Sequence, residues 1–121
     1  MELIRIEHIL DGKGPFASRK HILDCCVIVC TLNPILQSFE RKADELPHPY
    51  TEQLPITDHY FAFISLDSLL KYVSKEVLWE LFILGFRVYK IEVLSANLGK
   101  DQASFQIKHL SNKQDITESI L

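Results

Sequence analysis

Few residues in this chain have the type and spacing to do chemistry. His21, Cys25, Cys26 and Cys30 spell H-x-x-x-C-C-x-x-x-C, a set that could be forced into a zinc site. Adjacent cysteines rarely converge on one metal, however, and no second C-x-x-C follows. Buried thiols are the better reading, and no metal is expected. Glu76 and Glu80 lie one helical turn apart, but no histidines match them, so they read as a solvated helix edge. Gly12-Lys13-Gly14 lacks the G-x-x-x-x-G-K-[ST] frame of a phosphate loop and is explained by a tight turn. His8 remains. It falls on the apolar side of an alternating stretch, where a histidine is either bonded to a carbonyl in the core or turned to a ligand. Tyr60, Phe61, Phe63, Tyr72 and Trp79 could line a pocket, but aromatics at these spacings are more often core.

The elements that must hold these residues centre on positions 60–94. Ser65 precedes Leu66, Leu69, Leu70 and Val73, the spacing of one buried helical stripe, with Asp67 suited to the first turn. Ser74 repeats the arrangement for a helix over Lys75 to Leu84, apolar on nearly every side and therefore expected in the middle of the domain. Gly85 gives a left-handed exit, and Phe86 to Val93 has the composition of a strand.

Before this block, Leu3 to Leu10 reads as a half-buried strand, with Ile4, Ile6, His8 and Leu10 on one side and Arg5 and Glu7 on the other. Asp11 to Pro15 turns it. The segment Phe16 to Thr31 fits a strand or a buried helix, and Asn33-Pro34 starts a helix to about Ala43. Residues 46–55, with three prolines, read as a surface loop whose His48 and Tyr50 are candidate partner contacts. After the central block, Asn97 and Gly99 turn the chain into a strand from Gln102 to Leu110. Its Ala103, Phe105 and Ile107 face one way, and Gln102, Ser104 and Gln106 face the other. Gln102 and Gln106 join the candidate contacts. Residues 111–121 have little periodicity and suit a frayed tail or a short terminal helix.

At 121 residues the chain is expected to be a single domain, residues 1–121, large enough for its own core. A net charge of −3 argues against binding nucleic acid or an anionic membrane surface. No apolar run approaches a membrane span, and charge inside the opening MELIRIEH pattern argues against a signal peptide. Three clustered cysteines, an odd number, favour a reducing, intracellular setting.

The opening IRIEHILDGKGPF resembles the "YRVEH-x-x-T-G-x-GP-F/Y" start of a group of small phage and prophage proteins. The likeness continues through His48-Pro49, Phe61 to Leu66 with Leu69, and Gly85 to Val88 with Ile91 and Val93. It covers residues 1–16 and 46–110. The same order is distantly similar to the ADP-ribosyltransferase fold, in which a first strand ending "I-T-H" gives a histidine to NAD and a late "Q-A-E-F-L-V" strand gives the catalytic glutamate. By that resemblance His8 would contact NAD with Arg5, Ser65 would lie near the nicotinamide, and Ser104 would stand in the glutamate's place. A hydroxyl cannot supply the charge that stabilises the oxocarbenium-like transition state.

The resemblance implies an α+β fold, a bent antiparallel sheet with two or three packed helices. It implies a cytoplasmic protein of the bacterial host cell that binds and inhibits a host defence complex, as anti-CRISPR proteins do, without a cofactor. The alternative is an active ADP-ribosyltransferase using NAD.

Overall fold

A computed structural model describes residues 1–15, 24, 54–55 and 58–121. Among these, six strands form one antiparallel sheet: β1 (Glu2–His8), β2 (Tyr60–Phe63), β3 (Phe86–Val93), β4 (Asn97–Leu98), β5 (Gln102–Phe105) and β6 (Leu110–Asp115). Their spatial order is β4-β5-β2-β1-β3-β6, so β1 sits inside the sheet between two strands that follow it much later in the chain. It is registered against β3 from Glu2↔Glu92 to His8↔Phe86, and against β2 at Ile4↔Phe63. Three α-helices accompany the sheet among the described residues: α1 (Leu66–Tyr72), α2 (Lys75–Ile83) and α3 (Thr117–Ile120). The architecture is α+β, as expected, with an open sheet.

Local signals account for the middle of the chain. Ser65 Oγ accepts from Ser68 N–H at 3.1 Å and Ser74 Oγ from Val77 N–H at 3.2 Å, each occupying an orphan donor at a helix start. Gly85 stops α2 with φ +98°, a value that disfavours any residue with a Cβ. All three helices lie on one face of the sheet, where Ile4, Ile6, Phe63, Phe86 and Val88 meet Leu69, Val73, Val77, Leu78, Leu81 and Ile120.

The opposite face is buried too. Leu3, Ala62, Ile91, Val93, Ala103 and Phe105 form a second apolar cluster there. Arg5 and Glu7 share this face and are buried, which corrects the expectation of a half-buried β1, and the strand ends at His8, leaving Leu10 exposed in the turn that follows. Arg5 and Glu7 tolerate burial because they are paired, as shown below.

Three further expectations change. The outer side of α2 is open: Trp79 is 50% and Ile83 74% exposed, so the helix lies on the surface and not in the middle of the domain. The strand expected over Gln102 to Leu110 ends at Phe105. A 3-10 turn over Ile107–His109 follows and leaves Ile107 exposed. The chain then returns to the far edge of the sheet as β6, beside β3. Residues 111–121 are therefore no frayed tail, although the terminal helix expected as the other possibility is present. Thr117 and Ile120 are buried, and Thr117 Oγ1 accepts from Val88 N–H at 2.8 Å.

The possible zinc set at His21, Cys25, Cys26 and Cys30, the helix expected at 33–43, and His48 and Tyr50 lie outside the described residues. Of the proline-rich loop, Leu54 and Pro55 are described, and Leu54 is buried.

Candidate functional site

The strongest concentration of charge is on the β1 face away from the helices. Arg5 donates from Nη1 to Asp24 Oδ2 and from Nη2 to Asp24 Oδ1, both at 2.6 Å. Nη1 also donates to the Phe61 carbonyl and Nη2 to the Gly12 carbonyl, both at 2.7 Å, while Nε donates to Glu7 Oε2 at 2.9 Å. A guanidinium has five N–H donors, and all five are occupied. Asp24 is equally full: its oxygens also accept from Gly14 N–H at 2.9 Å and Phe61 N–H at 3.0 Å. Glu7 completes the knot by accepting from Lys113 of β6 through its second oxygen.

The rings of Tyr60 and Phe105 flank the guanidinium, 5.1 and 5.9 Å from its carbon. Burial works against charge on Arg5, but Asp24 and then Glu7 outweigh it and raise its pKa, so the group stays ionised. This cluster ties the first turn, residue 24, β2 and β6 to β1. Every donor and acceptor that Arg5 and Asp24 own is spent on the chain itself.

His8 is used in the same way. Its Nδ1 accepts from Leu10 N–H at 3.1 Å, which places the proton on Nε2, and Nε2 donates to the Leu84 carbonyl at 2.8 Å. The ring stands edge-on to Phe86, with centroids 4.9 Å apart. Gly85 allows this approach, since a Cβ there would lie 2.7 Å from His8 Nε2. His8 thus takes the core position that the sequence left open beside a ligand role. It latches the end of β1 to the end of α2.

The other transferase candidates do not gather around it. Ser65 is the cap of α1. The Ile4↔Phe63 register puts it just past the level of Glu2, roughly 20 Å along β1 from His8. Ser104 pairs with Phe61 on β5, two strands from β1, and is fully buried at 0% exposure. Its Oγ has no hydrogen-bond partner among the described residues. Gln102, on the same side of β5, is also buried, and Gln106 is half-buried beyond the strand's end. The exposed Gln102/Ser104/Gln106 surface expected of an alternating strand is thereby corrected, because β5 is covered on both faces. A small void of about 10 Å³ beside Ile6, Phe61, Phe63 and Gln102 has room for no more than a water.

Asp24, Glu7 and Lys113 were missed by the sequence reading as members of one cluster. The signal for Asp24 was there: it is the lone carboxylate beside the apolar run Cys25 to Cys30. An unpaired charge in such a run demands a partner.

A second polar cluster closes the other end of the domain. Asp101 Oδ2 accepts from Tyr72 Oη at 2.8 Å and Lys71 Nζ at 3.1 Å, joining the end of α1 to the turn before β5. These bonds, Tyr72's first, lower the Asp101 pKa, and the bond to Asp101 raises that of Tyr72. Among the described residues, no group of histidine, cysteine and carboxylate side chains could hold a metal, and no helix is long and apolar enough to cross a membrane.

Compared with known proteins, residues 1–118 match a family model described as Bacteriophage T4 Y00F protein. No curated protein and no solved structure matches the chain.

Proposed function

Since the chain belongs to the bacteriophage T4 Y00F protein family, we propose that it is a phage-encoded binding protein that acts on a host protein by contact, without catalysis. A host defence complex is the target class we place first, an anti-CRISPR-like role suggested by the motif order shared with small phage proteins. The observation that carries the non-catalytic reading is the exhaustion of Arg5 and His8. An NAD-using enzyme would need these groups turned to a ligand, yet every Arg5 donor and both His8 nitrogens bind the chain. Ser104 adds to this, since it brings no carboxylate and is enclosed. On this reading no cofactor is bound.

The second reading, an active ADP-ribosyltransferase with His8 and Arg5 on NAD, rests on the sequence motifs. Two measurements separate the readings: calorimetric titration with NAD, and incubation with labelled NAD and bacterial lysate. The binding protein gives no heat of NAD binding and transfers no label. Any label transfer that Arg5→Lys or His8→Ala abolishes, in a protein that still folds, overturns the non-catalytic reading.

A further inference from the structure

β6 is the last strand of the sheet on the β3 side, and Ser111 to Asp115 are all exposed. A bare edge offers a row of backbone N–H and C=O groups on which another chain can add a strand. The ladder tells which residues offer them. Ile116 N–H donates to the Val88 carbonyl at 2.9 Å. Bonded positions alternate along an antiparallel pair, so Gln114 and Asn112, opposite Lys90 and Glu92, turn their backbone groups toward β3. Lys113 and Asp115 turn theirs away from the sheet.

Both ends of this edge are cut short. Asn112 lies opposite Glu92 but Leu110 lies opposite Val93, so Ser111 is an extra residue, a bulge that interrupts the ladder. Its hydroxyl donates to the Glu92 carbonyl at 3.1 Å. At the other end α3 begins at Thr117, whose N–H and hydroxyl donate to Asp115 Oδ1 at 2.9 and 2.7 Å. Between them stands one outward donor in mid-strand, Lys113 N–H, and Asn112 Oδ1 accepts from it at 2.9 Å.

We propose that Asn112 keeps the β6 edge shut against a second copy of this chain, by occupying the Lys113 N–H that strand pairing needs. A second copy is the strand that the uncapped edge fits. Two-fold antiparallel pairing about Gln114 sets Lys113 opposite Asp115 of the other copy, and does so twice, with opposite charges facing each other. Each of these two pairs exchanges two hydrogen bonds, Lys113 N–H to the Asp115 carbonyl and Asp115 N–H to the Lys113 carbonyl. With the Asn112 oxygen on Lys113 N–H, each pair loses one of its two bonds. The bulge and α3 leave no further ladder to make good the loss.

The test uses the whole chain, with Asn112→Val and Asn112→Gln. Asn112→Val removes the acceptor, and Asn112→Gln keeps the amide and the charge but carries the oxygen one methylene further out. The site is exposed, so melting temperatures should stay near the parent's. In dilute protein, hydrogen exchange read by NMR should show the Lys113 amide exchanging about tenfold faster in both variants than in the parent. Sedimentation at rising concentration should show the parent monomeric and both variants forming a dimer. In that dimer the Asp115 amide, on the same edge, should become protected.

Equal Lys113 exchange in the parent and both variants would overturn the proposal, since the Asn112 oxygen then protects nothing. Variants that stay monomeric wherever the parent does would overturn it too. So would a parent that dimerises with its Asp115 amide protected, because the edge is then open as it stands. A dimer of Asn112→Val without one of Asn112→Gln would assign association to the added apolar side chain and reject the role of the oxygen.

Discussion

Arg5 and Asp24, nineteen residues apart, meet as a planar fork with two hydrogen bonds of 2.6 Å, both side chains removed from solvent. Breaking one side of such a buried pair leaves an uncompensated charge, which costs more than the intact pair contributes over an apolar substitute. Arg5→Met and Asp24→Asn should each lose about 3–5 kcal/mol of unfolding free energy in denaturant titration. The double substitution should lose clearly less than the two losses added. A single-variant loss under about 1 kcal/mol would show that the knot is not what holds this face together.

Gly85 and Gly12 both have positive φ, +98° and +69°, but only Gly85 is crowded. Gly12→Ala meets no atom within 4 Å and should cost about 1 kcal/mol of backbone strain. Gly85→Ala drives a methyl into the His8 ring, which is bonded on both nitrogens, and should cost at least about 2 kcal/mol. Equal thermal shifts for the two variants would contradict the close packing of His8 on Gly85.

Ser104 buries a hydroxyl with no partner among the described residues, so removing that hydroxyl relieves a cost. Ser104→Ala should be neutral or stabilising within about 1 kcal/mol in a thermal melt. Ser104→Glu, which restores the carboxylate of the transferase pattern, should instead place an unpaired charge in the core. The expected outcome is a protein that melts far lower and gains no NAD transfer. A well-folded Ser104→Glu variant that transfers label would reopen the enzyme reading.

Acid should weaken the fold through Asp101 and Asp115. Hydrogen bonds from Tyr72 and Lys71 lower Asp101. Asp115 is lowered because bonds from Thr117 and Arg87 outweigh its partial burial. A carboxyl with a folded pKa below its unfolded one stabilises the protein above the unfolded value, and that contribution disappears as pH falls through the folded value. Stability should therefore decline below about pH 4, and Asp101→Asn should flatten the decline. On the alkaline side, Tyr72, through its bond to Asp101, and Tyr89, through burial and Glu7, are raised. Their contribution is complete below the ordinary phenol pKa and is lost as pH rises past it. Melts across both limits check the two signs.

Thr117 Oγ1 accepts from Val88 N–H at 2.8 Å and donates to Asp115 at 2.7 Å from a fully buried position. Thr117→Val keeps the shape but strands the Val88 amide, and should cost about 1–3 kcal/mol. Removing residues 116–121 should cost more, since Ile120 leaves the helix-side core with them. A truncated chain that melts like the full one would restore the frayed-tail expectation.

The capped helices, the Gly85 stop and strands β1 and β3 were legible because local chemistry decides them. Ser65 and Ser74 cap wherever a helix follows, and Gly85 fits a left-handed turn that other residues resist. β6 was not legible. Its sequence Leu110 to Asp115 is exposed on an outer edge, so no buried face imprints a period on it, and only pairing with β3 makes it a strand. The site misled for a related reason. Alternation told which side of β1 Arg5 and His8 occupy, but their hydrogen bonds reach Asp24, Phe61 and Leu84, and no spacing along β1 encodes those partners.

The sheet order has a kinetic consequence. β1 leaves the ribosome more than fifty residues ahead of Phe61, the nearer of the two strands that must flank it. Until β2 and β3 emerge, its Leu3-Ile4-Arg5-Ile6 core is an unpaired, greasy ribbon with a cation in the middle. Assembly therefore closes long loops before it gains much, so folding is expected to be slower than for a chain of the same size held by local contacts.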